Sequence, residues 1–323
     1  MKLITFTTGD QTHVGAIDHS GARAVSLTAA SKGDPRFGSM LDLIRAGQQA
    51  LDTAAELLEL HAVDAAYDLD AVTLLAPLPN PVRLRDCSLF IEHLQPAFRG
   101  MARKIAAAAD DPDAEYERLV ATGKYDTPDV FSQLVIYYNA DHTAVSGPGE
   151  LIVAPQETNQ LDYELEFAAV IGTTGKDLTG DAARDAIFGY TILNDWSCRD
   201  LQSTVMNSQL GPSRGKDFDG SNTLGPCIVT ADEIGSPYEL ELTARVNGEV
   251  WSNGSSSTMH HSFEDAITHF SRGRTVYAGE VLGTGTVLSG SPVEIGRELK
   301  DGDEVELEVS GIGVLRNRVQ LPY

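Results

Sequence analysis

The sequence predicts a mainly β protein with some helix, an α+β fold, on three observations. Residues 1–30 alternate apolar and polar side chains between Gly and Asp breaks, which is typical of short strands. Apolar residues recur at helical spacing over 40–61. From residue 144 onward, short apolar runs are separated by Gly, Asp and Asn, as in a β-rich barrel or sandwich.

The segment APLPNPVRL at 76–84 has the composition of a linker and marks a predicted domain boundary. We therefore expect a small N-terminal module of strands and helices over 1–76 and a catalytic domain over 77–323. Within the second domain, the Ala-rich stretch 96–134 with its flanking charges predicts a helical insertion. That insertion is either a solvated surface element or a cover over a pocket.

The chain is strongly acidic, with 24 Lys and Arg against 47 Asp and Glu and a formal net charge of -23. This charge repels a phosphate backbone or an anionic membrane surface, so we expect no nucleic-acid or membrane partner. No apolar run approaches the roughly 18 residues of a spanning helix, and the N-terminus lacks a signal pattern, which predicts a cytoplasmic protein. Cys87, Cys198 and Cys227 lack CxxC spacing and are predicted to be buried thiols.

Three acids alternate in the segment that starts at Asp162. In a strand, Asp162, Glu164 and Glu166 share one face, and the run continues into the apolar residues 168–172, which predicts burial on both faces. Buried carboxylates need a counter-charge, and a metal ion supplies one. The alternative is the solvated face of an edge strand, which this motif alone leaves open.

A further acid, Asp195, ends the apolar strand predicted over 189–195. Taken alone it is equally typical of a turn or a helix N-cap. Together with Glu164 and Glu166 it forms an all-oxygen, anionic ligand set without His or Cys. Such a set suits Mg²⁺ best among the divalent metals, with Mn²⁺ or Ca²⁺ as alternatives.

From about Arg85 to the C-terminus, the sequence resembles the fumarylacetoacetate hydrolase (FAH) family. Four motifs in the family's order carry the resemblance: LDYELEFAAVIG at 161–172, GYTILNDWSCRDLQ at 189–202, GPSRGKDF at 211–218 followed by LGPCIVT, and GTGTVLSG at 283–290 followed by LKDGDEVELEVSGIGVL. The resemblance implies a mixed β-barrel or β-roll catalytic domain. It also implies a homodimer.

The same resemblance implies roles for individual residues. Asp86 stands seven residues before His93, as an acid ligand precedes the catalytic histidine in the family, which implies that Asp86 is the fourth metal ligand and His93 the general base. Glu298 resembles the acid that orients this histidine. The residues implied to stabilise negative charge are Lys216, Gln202 and Arg199. The residues implied to contact the substrate are Arg99, Tyr138 and Thr286.

The resemblance implies a metal-dependent hydrolase that cleaves a C–C bond in a 1,3-dicarbonyl oxo-acid, of the acylpyruvate or fumarylacetoacetate type, in the breakdown of aromatic compounds. Decarboxylase-like members carry a Glu three residues after the histidine, where this chain has Pro96, which favours hydrolysis. Decarboxylation, hydration and isomerisation of a 2-oxo acid are the alternatives within the family. A non-catalytic protein that binds a metal or an oxo-acid is the alternative outside enzymes.

Overall fold

The structure is a computed structural model, and it describes residues 1–61 and 65–322. The first part of the chain contains five strands and three helices. These are β1 (Lys2–Thr8), β2 (Gln11–Ile17), β3 (Arg23–Ser26), α1 (Leu27–Ala30), α2 (Met40–Ala46), α3 (Gln48–His61), β4 (Ala66–Asp68) and β5 (Thr73–Leu74). Short 3₁₀ turns lie at Pro35–Phe37 and Leu69–Ala71.

The stretch that was predicted to carry a helical insertion holds three helices between two strands: β6 (Arg83–Cys87), α4 (Leu94–Ala106), α5 (Pro112–Val120), α6 (Val130–Gln133) and β7 (Tyr137–Ala140). Helix α5 begins as its sequence directs, because Asp111 accepts a hydrogen bond from Ala114 N and Pro112 occupies the first turn.

Strands dominate the rest of the chain, as expected from its short apolar runs. The elements up to residue 206 are β8 (Val145–Ser146), β9 (Leu151–Val153), β10 (Leu161–Asp162), β11 (Leu165–Ile171), β12 (Gly175–Lys176), α7 (Asp181–Arg184), β13 (Ile187–Asp195), β14 (Ser197–Cys198) and α8 (Arg199–Met206). The remaining elements are β15 (Asn222–Thr230), α9 (Ala231–Ile234), β16 (Glu241–Val246), β17 (Glu249–Ser255), α10 (Phe263–Ser271), β18 (Thr275–Val276), β19 (Glu280–Gly283), α11 (Pro292–Ile295), β20 (Glu304–Val309) and β21 (Gly313–Gln320). Further 3₁₀ turns lie at Ser213–Gly215 and Ser256–Thr258.

Two large sheets organise the chain. A 12-stranded sheet has the order β4-β3-β2-β1-β15-β13-β11-β19-β6-β7, with β5 paired to β1 and β8 paired to β15. A five-stranded sheet has the order β17-β16-β20-β21-β9. The large sheet is mixed, because β19 and β6 run parallel while β11 is antiparallel to both of its neighbours. The predicted α+β fold class is confirmed.

Strand β11 is buried on both faces, as its apolar run predicts. Phe167 and Ala169 face the core shared with the five-stranded sheet and α10. Ala168 and Val170 face the opposite core, which α2 and α3 cover. The large sheet is therefore packed on both sides at its centre, where the candidate site lies.

The N-terminal strands extend the same large sheet instead of forming a separate one, since Leu3 of β1 pairs with Ile228 of β15. The domain boundary near residue 76 stays a prediction. In the part of the chain that the structure describes, no helix is long and apolar enough to cross a membrane. All three cysteines are buried free thiols, as predicted.

Candidate active site and metal centre

Neighbouring strands of the large sheet bring acids together at one end. Glu166, near the start of β11, pairs with Leu193, two residues before Asp195 at the end of β13. On the other side of β11, β19 ends at Gly283, which pairs with Asp86 of β6. Acids that are far apart in sequence therefore meet because their strands are adjacent in the sheet.

The structure places Asp86, Glu164, Glu166 and Asp195 in one buried cluster, with one carboxylate oxygen of each lying within 4.8 Å of the others. Asp162 is also buried, but it is not part of this cluster. Its Oδ2 instead accepts hydrogen bonds from Arg199 Nε at 2.9 Å and from Val293 N at 3.0 Å.

Crowding of these carboxylates changes their acidity. Burial, followed by the charge of Asp195, raises the pKa of Asp86 to about 8. Burial and the charge of Asp86 raise the pKa of Glu166 well above its ordinary value. Burial also raises the pKa of Asp195, although Lys216 opposes that shift. Negative charge is therefore costly in this cluster unless a cation joins it.

Two buried cations neutralise the outer part of the cluster. Lys216 Nζ lies 2.7 Å from Glu164 Oε2 and also donates to Asp195 Oδ2. Arg199 Nη1 lies 2.8 Å from Glu164 Oε1. Burial alone would raise the pKa of Glu164, but Lys216 and Arg199 outweigh it and lower that pKa well below its ordinary value. Glu164 therefore stays charged, whereas Asp86 and Glu166 lack such partners.

The residues fit a divalent metal ion on three grounds. The donors are all carboxylate oxygens, which hard divalent cations prefer. Asp86 Oδ1 and Asp195 Oδ1 are buried and accept no hydrogen bond from any residue in the described ranges. A Cβ at Gly283 would lie 2.8 Å from Asp86 Oδ1 and 3.2 Å from Glu166 Oε2, so this glycine keeps the space between two ligands open. Sequence reasoning missed Gly283, although it opens the GTGTVLSG motif.

The acid that lies beside the histidine of the site is not the one predicted. His93 Nδ1 lies 2.9 Å from Oε2 of Glu294, whose side chain is completely buried. Glu298, by contrast, is 74% exposed and pairs with Lys104 at 2.9 Å. The prediction that Glu298 orients His93 is therefore corrected to Glu294, four residues earlier.

Local capping explains why Glu294 faces inward. Its carboxylate accepts hydrogen bonds from Ser291 N and Oγ, which closes a capping box at the start of α11. Helix α4, which follows His93 directly, packs on α11 at Gly100, where a Cβ would lie 2.2 Å from Val293 O. The S-x-x-E spacing at 291–294 is the sequence signal that could have identified Glu294.

The other predicted residues divide between the site and its surroundings. Gln202 Oε1 accepts a hydrogen bond from Arg199 Nη1 at 3.0 Å. Tyr138 Oη donates to Asp195 Oδ2 at 2.5 Å. Thr286 Oγ1 donates to Glu166 at 3.3 Å, so its hydroxyl holds a candidate metal ligand.

Arg99 is the exception. Its guanidinium pairs with Asp126, a residue that is itself more than half exposed. The cavity-lining residues of α4 are Leu94, Ala97, Phe98 and Met101. They follow a helical stripe, and Arg99 is off that stripe. The structure does not bring Arg99 into the cavity that His93, Tyr138 and Lys216 line.

These side chains line one cavity of about 660 Å³, which contains Asp86, Glu164, His93, Lys216 and Tyr138 on its walls. A molecule in this cavity would therefore contact both the acids that can hold a cation and the histidine that can exchange a proton. Together the fold and the cavity define a site in which acids that could hold a divalent metal and a histidine face the same small-molecule cavity.

Comparison with known proteins agrees with this class. Residues 112–320 match the family described as fumarylacetoacetate (FAA) hydrolase C-terminal. The chain is 31% identical over 290 residues to oxaloacetate tautomerase YisK of Bacillus subtilis (strain 168), covering 87% of this chain and 86% of that protein. It is 29% identical to the mitochondrial oxaloacetate tautomerase Fahd2a of Rattus norvegicus, covering 99% of this chain and 91% of the relative.

Solved structures give the same result. A fumarylacetoacetate hydrolase from Exiguobacterium antarcticum aligns with a TM-score of 0.74 at 28% identity, over 99% of both chains. A 2-hydroxyhepta-2,4-diene-1,7-dioate isomerase from Mycobacterium marinum aligns with a TM-score of 0.66 at 25% identity, over 99% of this chain and 98% of that one.

The chain belongs to the fumarylacetoacetate hydrolase family, a family of enzymes. Glu164, Glu166, Asp195, Lys216 and Glu294 all lie within the matched residues 112–320. Asp86 and His93 precede that segment, and their place in the site is given by the geometry of β6 and of the loop before α4.

Proposed function

We propose that this protein is a divalent-cation-dependent tautomerase that interconverts the enol and keto forms of a small 2-oxo acid. The observation that carries the proposal is His93, which lies beside the buried Glu294 and lines the same cavity as Asp86 and Glu164 of the four-carboxylate cluster. The relatives described as oxaloacetate tautomerases, which match over most of their length, support isomerisation over hydrolysis as the main function.

Tautomerisation needs few groups. In ketonisation the enol O–H bond breaks, its electron pair forms the C=O bond, and the former C=C pair takes up a proton at C3. Asp86, Glu164, Glu166 and Asp195 would hold a divalent cation, which would supply Lewis-acid chemistry for a 2-oxo acid. Mg²⁺ remains the first choice of ion, with Mn²⁺ or Ca²⁺ as alternatives.

The protein's own residues exchange the proton and support the carboxylate cluster. Glu294 lies against Nδ1 of His93, which leaves Nε2 as the nitrogen that exchanges the proton at C3. Lys216 and Arg199 keep Glu164 charged and add positive potential on the wall that the acid's oxygens approach. Tyr138 fixes Asp195 through its hydroxyl.

Hydrolysis of a C–C bond in an acylpyruvate is the second candidate. The full-length alignment with the solved fumarylacetoacetate hydrolase favours it. The same His93 would then take a proton from water instead of from carbon, so the geometry of the dyad serves either reaction.

The test starts from protein stripped of metal with EDTA and reloaded with Mg²⁺ or Mn²⁺. We expect the ultraviolet absorbance of freshly dissolved oxaloacetate enol to decay faster than in buffer only after reloading. His93→Gln should lower kcat about 10²-fold or more while metal binding by calorimetry is unchanged. Equal rates for parent and variant would exclude His93 as the acid–base group.

Product analysis on an acylpyruvate separates the two candidates. Release of pyruvate and a carboxylic acid at a rate above that of ketonisation would make the protein a hydrolase. Metal and ligand binding without turnover of any oxo-acid would make it a binding protein.

We also propose that the protein forms a homodimer and acts in the cytoplasm. Its binding partner is proposed to be a small-molecule oxo-acid. Sedimentation equilibrium of the full chain tests the dimer, and a monomer at micromolar concentration would contradict it.

A further inference from the structure

The candidate active-site cavity has two unlike ends. Its charged walls are deeply buried, and Asp86, Glu164, His93, Arg199 and Lys216 are each at most 9% exposed. Five of its apolar lining side chains are only partly buried or are exposed, and they come from α4, α6, α8 and the loop after α8: Phe98, Met101, Phe131, Met206 and Leu210. The cavity therefore runs from a polar, metal-binding interior to an apolar outer part.

The apolar outer part is a defined wall. Ser203 Oγ of α8 contacts Met101 Sδ of α4 at 3.3 Å, which joins the two helices along the cavity. Leu210 is 90% exposed on the loop after α8, and Met206 is 37% exposed. Exposed apolar side chains that gather around one cavity are typical of a surface that binds an apolar group.

Positive charge is scarce in the same cavity. Among its lining residues in the described ranges, Arg199 and Lys216 are the only Lys or Arg. Both are already paired with buried acids, Arg199 with Asp162 and Glu164 and Lys216 with Glu164 and Asp195. A second carboxylate on the substrate would therefore enter an apolar region without a counter-charge, which is costly.

The cavity is also larger than a four-carbon oxo-acid requires. Its volume of about 660 Å³ is in the range of pockets that enclose drug-sized ligands. A four-carbon oxo-acid bound at the carboxylate cluster would leave the apolar outer part empty.

We propose that the preferred substrate is a 2-oxo acid with an apolar, aromatic-sized substituent at C3, and that Phe98, Met101 and Phe131 select this substituent over a second carboxylate. The proposal rests on the proposed tautomerase function and names its substrate class. In ketonisation, the proton still leaves the enol oxygen and a proton still enters at C3, so only the recognition of the substituent differs.

Two non-enolisable ligands test recognition without turnover. N-Phenyloxamate and N-oxalylglycine share an oxamate head that resembles a 2-oxo acid, and they differ in carrying a phenyl ring or a second carboxylate. By calorimetry on the Mg²⁺-loaded protein, we expect N-phenyloxamate to bind at least about tenfold more tightly, a difference of about 1.4 kcal/mol. Tighter binding of N-oxalylglycine, or no binding of either ligand, would overturn the proposal.

Two enols then test turnover. We expect phenylpyruvate enol to be ketonised with a kcat/KM at least about tenfold above that of oxaloacetate enol. Faster ketonisation of oxaloacetate would overturn the substrate class and leave the tautomerase function intact. If neither enol decays faster than in buffer, the tautomerase function itself fails, and the two failures are thus distinguished.

A charge added to the wall should reverse the preference. Met101→Lys places a cation in the cavity, and we expect the ratio of phenylpyruvate to oxaloacetate kcat/KM to fall about tenfold or more. Ile105→Lys is the matched control, because Ile105 lies one turn later on α4, is 46% exposed and does not line this cavity. If Met101→Lys does not fold, Leu210→Lys on the exposed loop serves instead. An unchanged ratio in the folded cavity variant would overturn the proposal.

Discussion

Replacing Asp86 by Asn should make the metal-free protein more stable while weakening its metal binding. Burial and the neighbouring acids raise the pKa of Asp86 from 3.8 to about 8. Each pKa unit corresponds to about 1.4 kcal/mol, so a charged Asp86 costs the folded state about 6 kcal/mol above pH 8. The unpaired Asn amide costs about 1–3 kcal/mol. The expected net gain is therefore about 3 kcal/mol or more.

The stability gained by Asp86→Asn depends on pH. Because the folded pKa lies above the unfolded one, the folded state holds the proton more tightly between pH 4 and 8, and stability falls as the pH rises through this window. Urea denaturation in EDTA should therefore show a large gain for Asp86→Asn at pH 8.5 and a small one at pH 5. With saturating Mg²⁺ the parent should gain stability and the variant much less.

Asp129→Asn is the matched control, since Asp129 is exposed and its side chain makes no capping hydrogen bond. It removes the same charge and should leave the free energy of unfolding within about 0.5 kcal/mol of the parent. If Asp86→Asn were less stable than the parent in EDTA at both pH values, the account of a self-repelling carboxylate cluster would be refuted.

Three more substitutions probe the site and its support. Glu294→Gln keeps a residue that can close the capping box but removes the acid beside His93, the proposed acid–base group. The kcat should therefore fall about 10-fold or more and the pH–rate profile should shift, whereas Glu298→Gln should match the parent in both. Gly283→Ala inserts a methyl group between two candidate ligands. It should weaken Mg²⁺ binding at least about tenfold by calorimetry, and unaltered affinity would contradict the packing argument. Glu280→Gln leaves Arg85 buried without its charged partner, so urea denaturation should show a loss of about 3–5 kcal/mol. A loss below about 1 kcal/mol would show that the Arg85 charge is compensated elsewhere.

The sequence was most informative where one periodicity decides the structure. The apolar run after Glu166 predicted a strand buried on both faces, and β11 is such a strand. Alternation alone also placed Asp162 beside Glu164 and Glu166, but β10 ends at Asp162 and β11 starts at Leu165, so the regular two-residue repeat is interrupted between them. Side-chain direction across such a break depends on backbone angles that residue types do not specify.

Position relative to a family motif identified the acid beside His93 less well than the helix-capping pattern did. Counting along the chain selected Glu298, whereas the capping box at 291–294 turns Glu294 inward toward His93. Likewise, Arg99 has a suitable charge, but its place on α4 directs it to Asp126. Gly100 and Gly283 were missed because their role is the space they leave for neighbours, which appears only when the neighbours are in place.

The balance of charge in the cavity suggests an order of binding. The four acids of the cluster, together with Asp162 and Glu294, outnumber the two buried cations Lys216 and Arg199 once the cluster has lost its protons. An anionic oxo-acid that enters before the metal would meet an excess of negative charge in a medium of low dielectric constant. A divalent cation would remove most of that excess, so we expect the metal to bind before the oxo-acid. The same balance disfavours a dianionic substrate over a monoanion, which agrees with the apolar outer wall formed by Phe98, Met101 and Phe131.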